Sequence, residues 1–112
     1  MSTYNGIIVY GIYLDGCLNG VYSNDHQLTN NEIFNEIARK KSKDEDEILG
    51  IYTCSYIDLS SKAYICDLEI KIGKKAQYDF IWYETGHPNK IKFIGIGWRT
   101  SKNQITVSYS DK

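Results

Sequence analysis

The sequence predicts an α+β domain: a β-hairpin, one short helix, then a five-stranded antiparallel meander that is strongly curved or rolled into a partial barrel. Two patterns and one consideration of size predict it. Apolar and polar residues alternate with period two from Ile48 onward, between short turn-rich breaks. Ahead of them, one segment carries the start signals of a helix. Five strands at ~4.8 Å spacing span roughly 20–24 Å, whereas a helix of about 12 residues is ~18 Å long and ~10 Å wide. One helix cannot cover such a sheet. The sheet must curl, be closed by the hairpin, or bury the remainder against a ligand or another chain.

Residues 6–14 (GIIVYGIYL) are β-branched and aromatic, and Asp15-Gly16 is a type I′ turn signal. Residues 18–23 complete the hairpin. Thr29-Asn30-Asn31-Glu32 reads as a capping box, in which Thr29 caps the helix and Glu32 reaches back to its amide. Ile33, Phe34, Ile37 and Ala38 share one helical face, and Arg39-Lys40-Lys41 suit the C-terminal end of the dipole. Residues 42–47 (SKDEDE) form a charged connector, and strands follow at 48–58, 62–72, 76–84, 90–99 and 104–110.

Register follows from the alternation, because a one-residue slip exchanges the two faces of a strand. A loop at Leu59–Ser61 sets Tyr56 opposite Tyr64, Cys54 opposite Cys66 and Tyr52 opposite Leu68. A loop at Gly73–Lys75 sets Ile70 opposite Tyr78, Leu68 opposite Phe80 and Cys66 opposite Trp82. The loop Thr85–Asn89 sets Phe80 opposite Ile94, and Thr100–Asn103 sets Trp98 opposite Ile105. The inner face then carries Tyr52, Tyr56, Tyr64, Tyr78, Phe80, Trp82, Trp98 and Tyr109. The outer face carries Ile57, Ile65, Tyr83 and Ile91, with Ile81 and Phe93 alongside. Gly95 and Gly97 fall outward in this register, marking curvature or close backbone approach.

At 112 residues the chain fits one domain, large enough to fold without disulfides or metal. A net charge of −1 weighs against a nucleic-acid coat, and no apolar run reaches the ~18–20 residues of a membrane helix. Three cysteines without close pairing, and a start lacking a secretory pattern, point to the cytoplasm. Lys outnumbers Arg 11 to 2, and Ile, Asn and Tyr are also frequent, as in AT-rich bacterial or phage genomes.

Catalytic chemistry finds little to work with. Cys54 and Cys66 read as small inward hydrophobes, Cys17 as a turn neighbour, and His26 and His87 have no evident catalytic partners. His87 sits in the loop Thr85-Gly86-His87-Pro88-Asn89. Asp67, Glu69 and Asp79 share an outer face with Lys71 and read as solvated charge, as does the run Asp44–Glu47. No spacing suits zinc, and no cofactor is expected.

The function expected is therefore a non-enzymatic intracellular binding protein of inhibitor, immunity or anti-defence type, with a protein partner or a second copy on Ile57, Ile65, Ile81, Tyr83, Ile91 and Phe93. The alternative is a small-ligand barrel whose aromatic pocket takes an anionic aromatic molecule, including a sequestered nucleotide. Trp82, Trp98, Tyr64 and Tyr78 would stack on it, and Lys92 or Arg99 would meet its charge. Of pocket and packed core, the packed core is the expectation for the inner face.

Overall fold

Period-two alternation runs through more of the chain than its polar residues suggest, and each alternating stretch is a strand. The computed structural model describes residues 5–13, 16–25, 34–41, 46–57 and 62–111. Its strands are β1 (Asn5–Ile12), β2 (Cys17–Asn24), β3 (Phe34–Lys40), β4 (Gly50–Ile57), β5 (Ala63–Ile72), β6 (Tyr78–Tyr83), β7 (Ile91–Ser101) and β8 (Gln104–Asp111). Each pairs antiparallel with its sequence neighbours, and β8 returns to β1, closing an eight-stranded up-and-down barrel. Closure removes the free edges that an open sheet would present.

The α+β class is thus corrected to all-β, and the expected helix gives way to β3. Phe34–Lys40 (FNEIARK) satisfies both periods. Phe34, Ile37 and Ala38 suit a helical face, yet Phe34, Glu36, Ala38 and Lys40 also alternate with Asn35, Ile37 and Arg39. Tertiary pairing decides between them. β2 and β4 each need a partner for their backbone groups, and β3 satisfies both, with Gly20 opposite Glu36 and Ala38 opposite Cys54. Glu36 on the inward row made that row look polar. The capping box Thr29–Glu32, with His26 and Ile33, lies outside the described residues, as do Asp15, residues 42–45 and the loop Leu59–Ser61.

Three registers differ from expectation: β5–β6, β6–β7 and β7–β8, where Trp98 faces Thr106 rather than Ile105. β4 and β5 pair as expected, with Cys54 opposite Cys66 and Tyr56 opposite Tyr64. β5 and β6 slide by one side-chain pair, so that Leu68 faces Trp82 and Ile70 faces Phe80. The cause is a wider loop over 73–77, a 3-10 turn closed by the Gly73 N–H donating to the Gln77 carbonyl at 2.8 Å. β7 turns over altogether. Tyr83 pairs with Ile91 in the expected register, but a bulge makes Trp82 pair with Phe93 and leaves Lys92 as the extra residue. Beyond it Phe80 faces Gly95, and Ile94, Ile96 and Trp98 point outward.

Space inside the barrel explains that reversal. An eight-stranded barrel is just wide enough for side chains to fill it. Tyr10, Tyr52, Phe80, Trp82, Leu68, Ile105 and Val107 already occupy the middle and are buried. Stacking runs from Tyr10 to Phe80 at 5.9 Å and from Phe80 to Trp82 at 5.7 Å. Small residues opposite give the rings room: a Cβ at Gly97 would sit 2.8 Å from the Phe80 ring, and one at Gly20 2.8 Å from the Tyr10 ring. Three more large side chains on β7 would have nowhere to go.

The two ends of the barrel differ. At the end carrying the β1–β2 turn, Asp46 accepts from the amides of Ile48 and Leu49 at 2.8 and 2.6 Å. This folds Ile48 into the barrel as a buried stopper, held by the Tyr52 hydroxyl donating to its carbonyl at 2.7 Å. The opposite end is rimmed by half-buried Phe34, Tyr56, Tyr64 and Phe93 together with the more buried Tyr22 and Tyr109. None of the helices described is long and apolar enough to cross a membrane. Arg39, Glu69, Lys71 and Asp79 stand on the outer wall, which also exposes Ile7, Val21, Ile37, Ile57 and Ile65.

Candidate functional site

Three places on the barrel depart from what packing alone requires: a buried acid, an aromatic rim with a cation across it, and an apolar outer ridge.

The acid is Glu36, 5% exposed and inside the barrel. Its Oε2 accepts from the Tyr10 hydroxyl, from the Trp82 Nε1–H at 3.3 Å and from the Cys54 thiol at 3.6 Å. These donors come from β1, β6 and β4, so the carboxyl ties distant parts of the wall together. Burial lifts the Glu36 pKa above the carboxylate range, and the three donors offset part of that rise. Desolvation beside the acid likewise pushes the Tyr10 hydroxyl far up. The Cys54 thiol is pushed up by its bond with Cys66 first and then by burial. A thiol so disfavoured as thiolate is a poor nucleophile. Tyr10, Cys54 and Phe80 around it are fully enclosed, so the cluster holds the fold and no substrate reaches it.

At the rim, a chain of rings runs from Phe34 to Tyr22 (5.9 Å), Tyr22 to Tyr56 (6.3 Å) and Tyr56 to Tyr64 (5.3 Å, 17° between planes). The β7 bulge turns Lys92 over them. Its Nζ lies 5.8 Å from the centroids of both Tyr56 and Tyr64 and donates to the Tyr56 hydroxyl at 3.3 Å. Lys62 approaches the Tyr64 ring at 5.4 Å. Burial raises the Tyr56 pKa, so its hydroxyl stays neutral as acceptor and donor.

On the outer wall, Ile94, Ile96 and Trp98 form a ridge along β7, 43%, 41% and 48% exposed. Ile81 on β6 flanks Ile94, and Ser110, Ser108 and Thr106 on β8 stand opposite Ile94, Ile96 and Trp98. Beyond β8 lie Ile7, which is exposed, and Val9, opposite Ser108 and Thr106 respectively. The result is an open furrow of about 500 Å³ with a floor of small hydroxyls and an apolar wall, lined also by Asn5 and Asp79.

The chain matches no family model, no curated protein and no solved structure. Its site is therefore read from geometry alone.

The residues expected to form a ligand pocket separate. Tyr64 and Lys92 meet at the rim, and Trp82 is buried beside Glu36. Tyr78 and Arg99 lie toward the stoppered end, where Arg99 pairs with Glu47 at 2.9 Å, and Trp98 is outside. The expected interface residues also scatter. Ile57 and Ile65 are exposed on β4 and β5, while Ile81 lies beside Ile94 on the far side of β6. Tyr83 is buried, beside Ile91 and opposite Asp67, whose carboxylate takes Lys41 at 3.1 Å and the Gly86 amide at 3.1 Å. Phe93 points inward, edge-on to Tyr109 at 5.9 Å. His87 is an exposed turn residue, its amide donating to the Glu84 carbonyl at 2.8 Å. Among the described residues no cluster of three or more His, Cys, Asp or Glu could hold a metal ion.

Sequence reasoning missed Glu36 and the Ile94-Ile96-Trp98 ridge. The signal for the ridge was present: Gly95 and Gly97 interleave with it, and glycine belongs on the crowded side of a small barrel.

Proposed function

We propose that this is a cytoplasmic binding protein of inhibitor or immunity type that engages a protein partner through the outer wall of β6, β7, β8 and β1. The observation that carries the proposal is the exposed ridge Ile94, Ile96 and Trp98 beside its hydroxyl-floored furrow. Interface cores are depleted in charge and enriched in aromatic anchors, with Trp the commonest hot spot. Among the furrow's lining residues only Asp79 carries charge. A closed barrel offers no edge for strand addition, so side chains must do the recognising. A fitting partner brings apolar side chains onto the ridge, and hydroxyl or amide groups onto Thr106, Ser108 and Ser110.

The test is capture of partners by the wild-type chain and by three variants. Ile96→Asp and Trp98→Ser should each abolish capture without lowering the melting temperature by more than a few degrees. Ile37→Asp, on exposed β3 across the barrel, should leave capture intact. Light scattering of the same samples separates a foreign partner from a second copy. Capture that survives both β7 variants sinks the proposal.

A further inference from the structure

The aromatic rim poses a separate problem of charge, independent of the outer ridge. Lys92 has no carboxylate within salt-bridge distance among the described residues; its polar partner is the Tyr56 hydroxyl. Its ammonium is nonetheless held inward, over the mouth, by a backbone bulge. An exposed lysine ordinarily turns its charge to water. Here the bulge aims it from β7 to Tyr56 on β4, three strands away round the wall. Bulges of this kind occur at barrel rims and re-aim side chains toward sites. A second ammonium, Lys62, lies against the same Tyr64 ring.

We propose that this end of the barrel is a binding site for a small aromatic carboxylate. Lys92 takes the carboxylate, and the Tyr56 hydroxyl is freed by the exchange to donate to it. The ring of the ligand lies against the half-buried rim formed by Phe34 and Phe93 with Tyr56 and Tyr64. An aliphatic acid leaves those faces wet, and a neutral aromatic leaves Lys92 without its anion. Charge and planarity are therefore both required. The site lies at the barrel's surface and leaves the packed interior untouched, so binding needs no opening of the wall.

The probes are 2-naphthoate, its neutral analogue 2-naphthylmethanol, cyclohexanecarboxylate and inorganic sulfate, titrated by calorimetry against the full chain. The expected result is saturable binding of 2-naphthoate, with the other three at least tenfold weaker. Lys92→Met should weaken 2-naphthoate at least tenfold, and Lys92→Arg should restore most of the loss. Because Lys92 is only half-buried, both variants should melt within a few degrees of wild type. Ring-proton NMR shifts on adding 2-naphthoate should be confined to the rim tyrosines and phenylalanines, which gives a readout that does not depend on any variant folding. Three outcomes overturn the proposal: no saturable binding of 2-naphthoate, equal binding by sulfate, or equal binding by Lys92→Met.

Discussion

The Trp82 indole and the Glu36 carboxyl, carried by β6 and β3 across the barrel from each other, meet in its interior, with Nε1 donating to Oε2 at 3.3 Å. Tyr10 and Cys54 donate to the same oxygen, so one acid organises four strands of the wall. A buried carboxyl is costly unless hydrogen-bonded, and three donors reduce that cost without removing it. The fold is fixed by this network and by rings packed against glycines. The surfaces proposed for binding lie outside it.

Glu36 makes stability depend on pH with a definite sign. Its folded pKa is raised, chiefly by burial, while in the unfolded chain it titrates near ~4.3. Between the two values the folded state holds more protons than the unfolded state. Its contribution is fully present below the unfolded pKa and is lost as pH rises through the folded one, with a slope of at most about 1.4 kcal/mol per pH unit. Glu36→Gln keeps an oxygen for the three donors and does not titrate. Urea unfolding across a pH series should show the variant gaining on wild type as pH rises, then levelling off. Parallel curves would mean that the Glu36 pKa is not raised in the folded state.

Trp82→Ala should cost about 3–5 kcal/mol, the cost of an aromatic cavity in a core that cannot collapse around it. Trp82→Phe keeps most of the volume and removes the indole donor, so it should cost less and raise the Glu36 pKa further. Denaturant unfolding gives the first quantity, and the pH series above gives the second. An alanine variant as stable as wild type would mean the interior holds space for a ligand.

Gly20→Ala should destabilise by about 1–3 kcal/mol through overpacking. The added methyl would lie 2.8 Å from the Tyr10 ring, which its bond to Glu36 prevents from moving aside. Gly97→Ala should behave alike against Phe80, at 2.8 Å. Melting curves of the two variants decide it. Two silent substitutions would place these glycines on the open side of the wall.

Thiol accessibility should divide sharply. Cys17 is partly exposed, while Cys54 and Cys66 are buried and the Cys54 thiol is held up in pKa. An aromatic disulfide reagent should label Cys17 directly and the other two only through unfolding, at least ~10³-fold more slowly. Replacing all three by Ala or Ser should lower stability and leave partner binding intact.

Much of this fold was legible strand by strand. The β4–β5 register came out pair for pair, because Tyr52, Cys54 and Tyr56 alternate with short polar residues and match Leu68, Cys66 and Tyr64. The first hairpin pairs β1 with β2 and Gly16 has φ +79, while Asp15 of the expected type I′ turn lies outside the described residues. The helix misjudgement has one physical root. A strand whose central inward residue is glutamate imitates an amphipathic helix, and only closure of the barrel shows that the acid faces in. The β7 reversal has another. A bulge at Lys92 costs one residue of register, and no local pattern in Lys90-Ile91-Lys92-Phe93 announces it. The ridge was therefore assigned to the core, and the interface was sought partly on Tyr83, which is buried, and Phe93, which points inward and is half-buried.

The outer-wall proposal is tested most directly by photo-crosslinking from inside the furrow and from across the barrel. Benzoylphenylalanine replaces Trp98 in one chain and Ile37 in another, both exposed positions that tolerate the ring. Each chain is irradiated in cells that express it. A discrete adduct from position 98, absent from position 37 and lost when Ile96→Asp is added, is the predicted result. Adducts of equal yield from both positions, or from position 37 alone, would contradict a partner seated on β7.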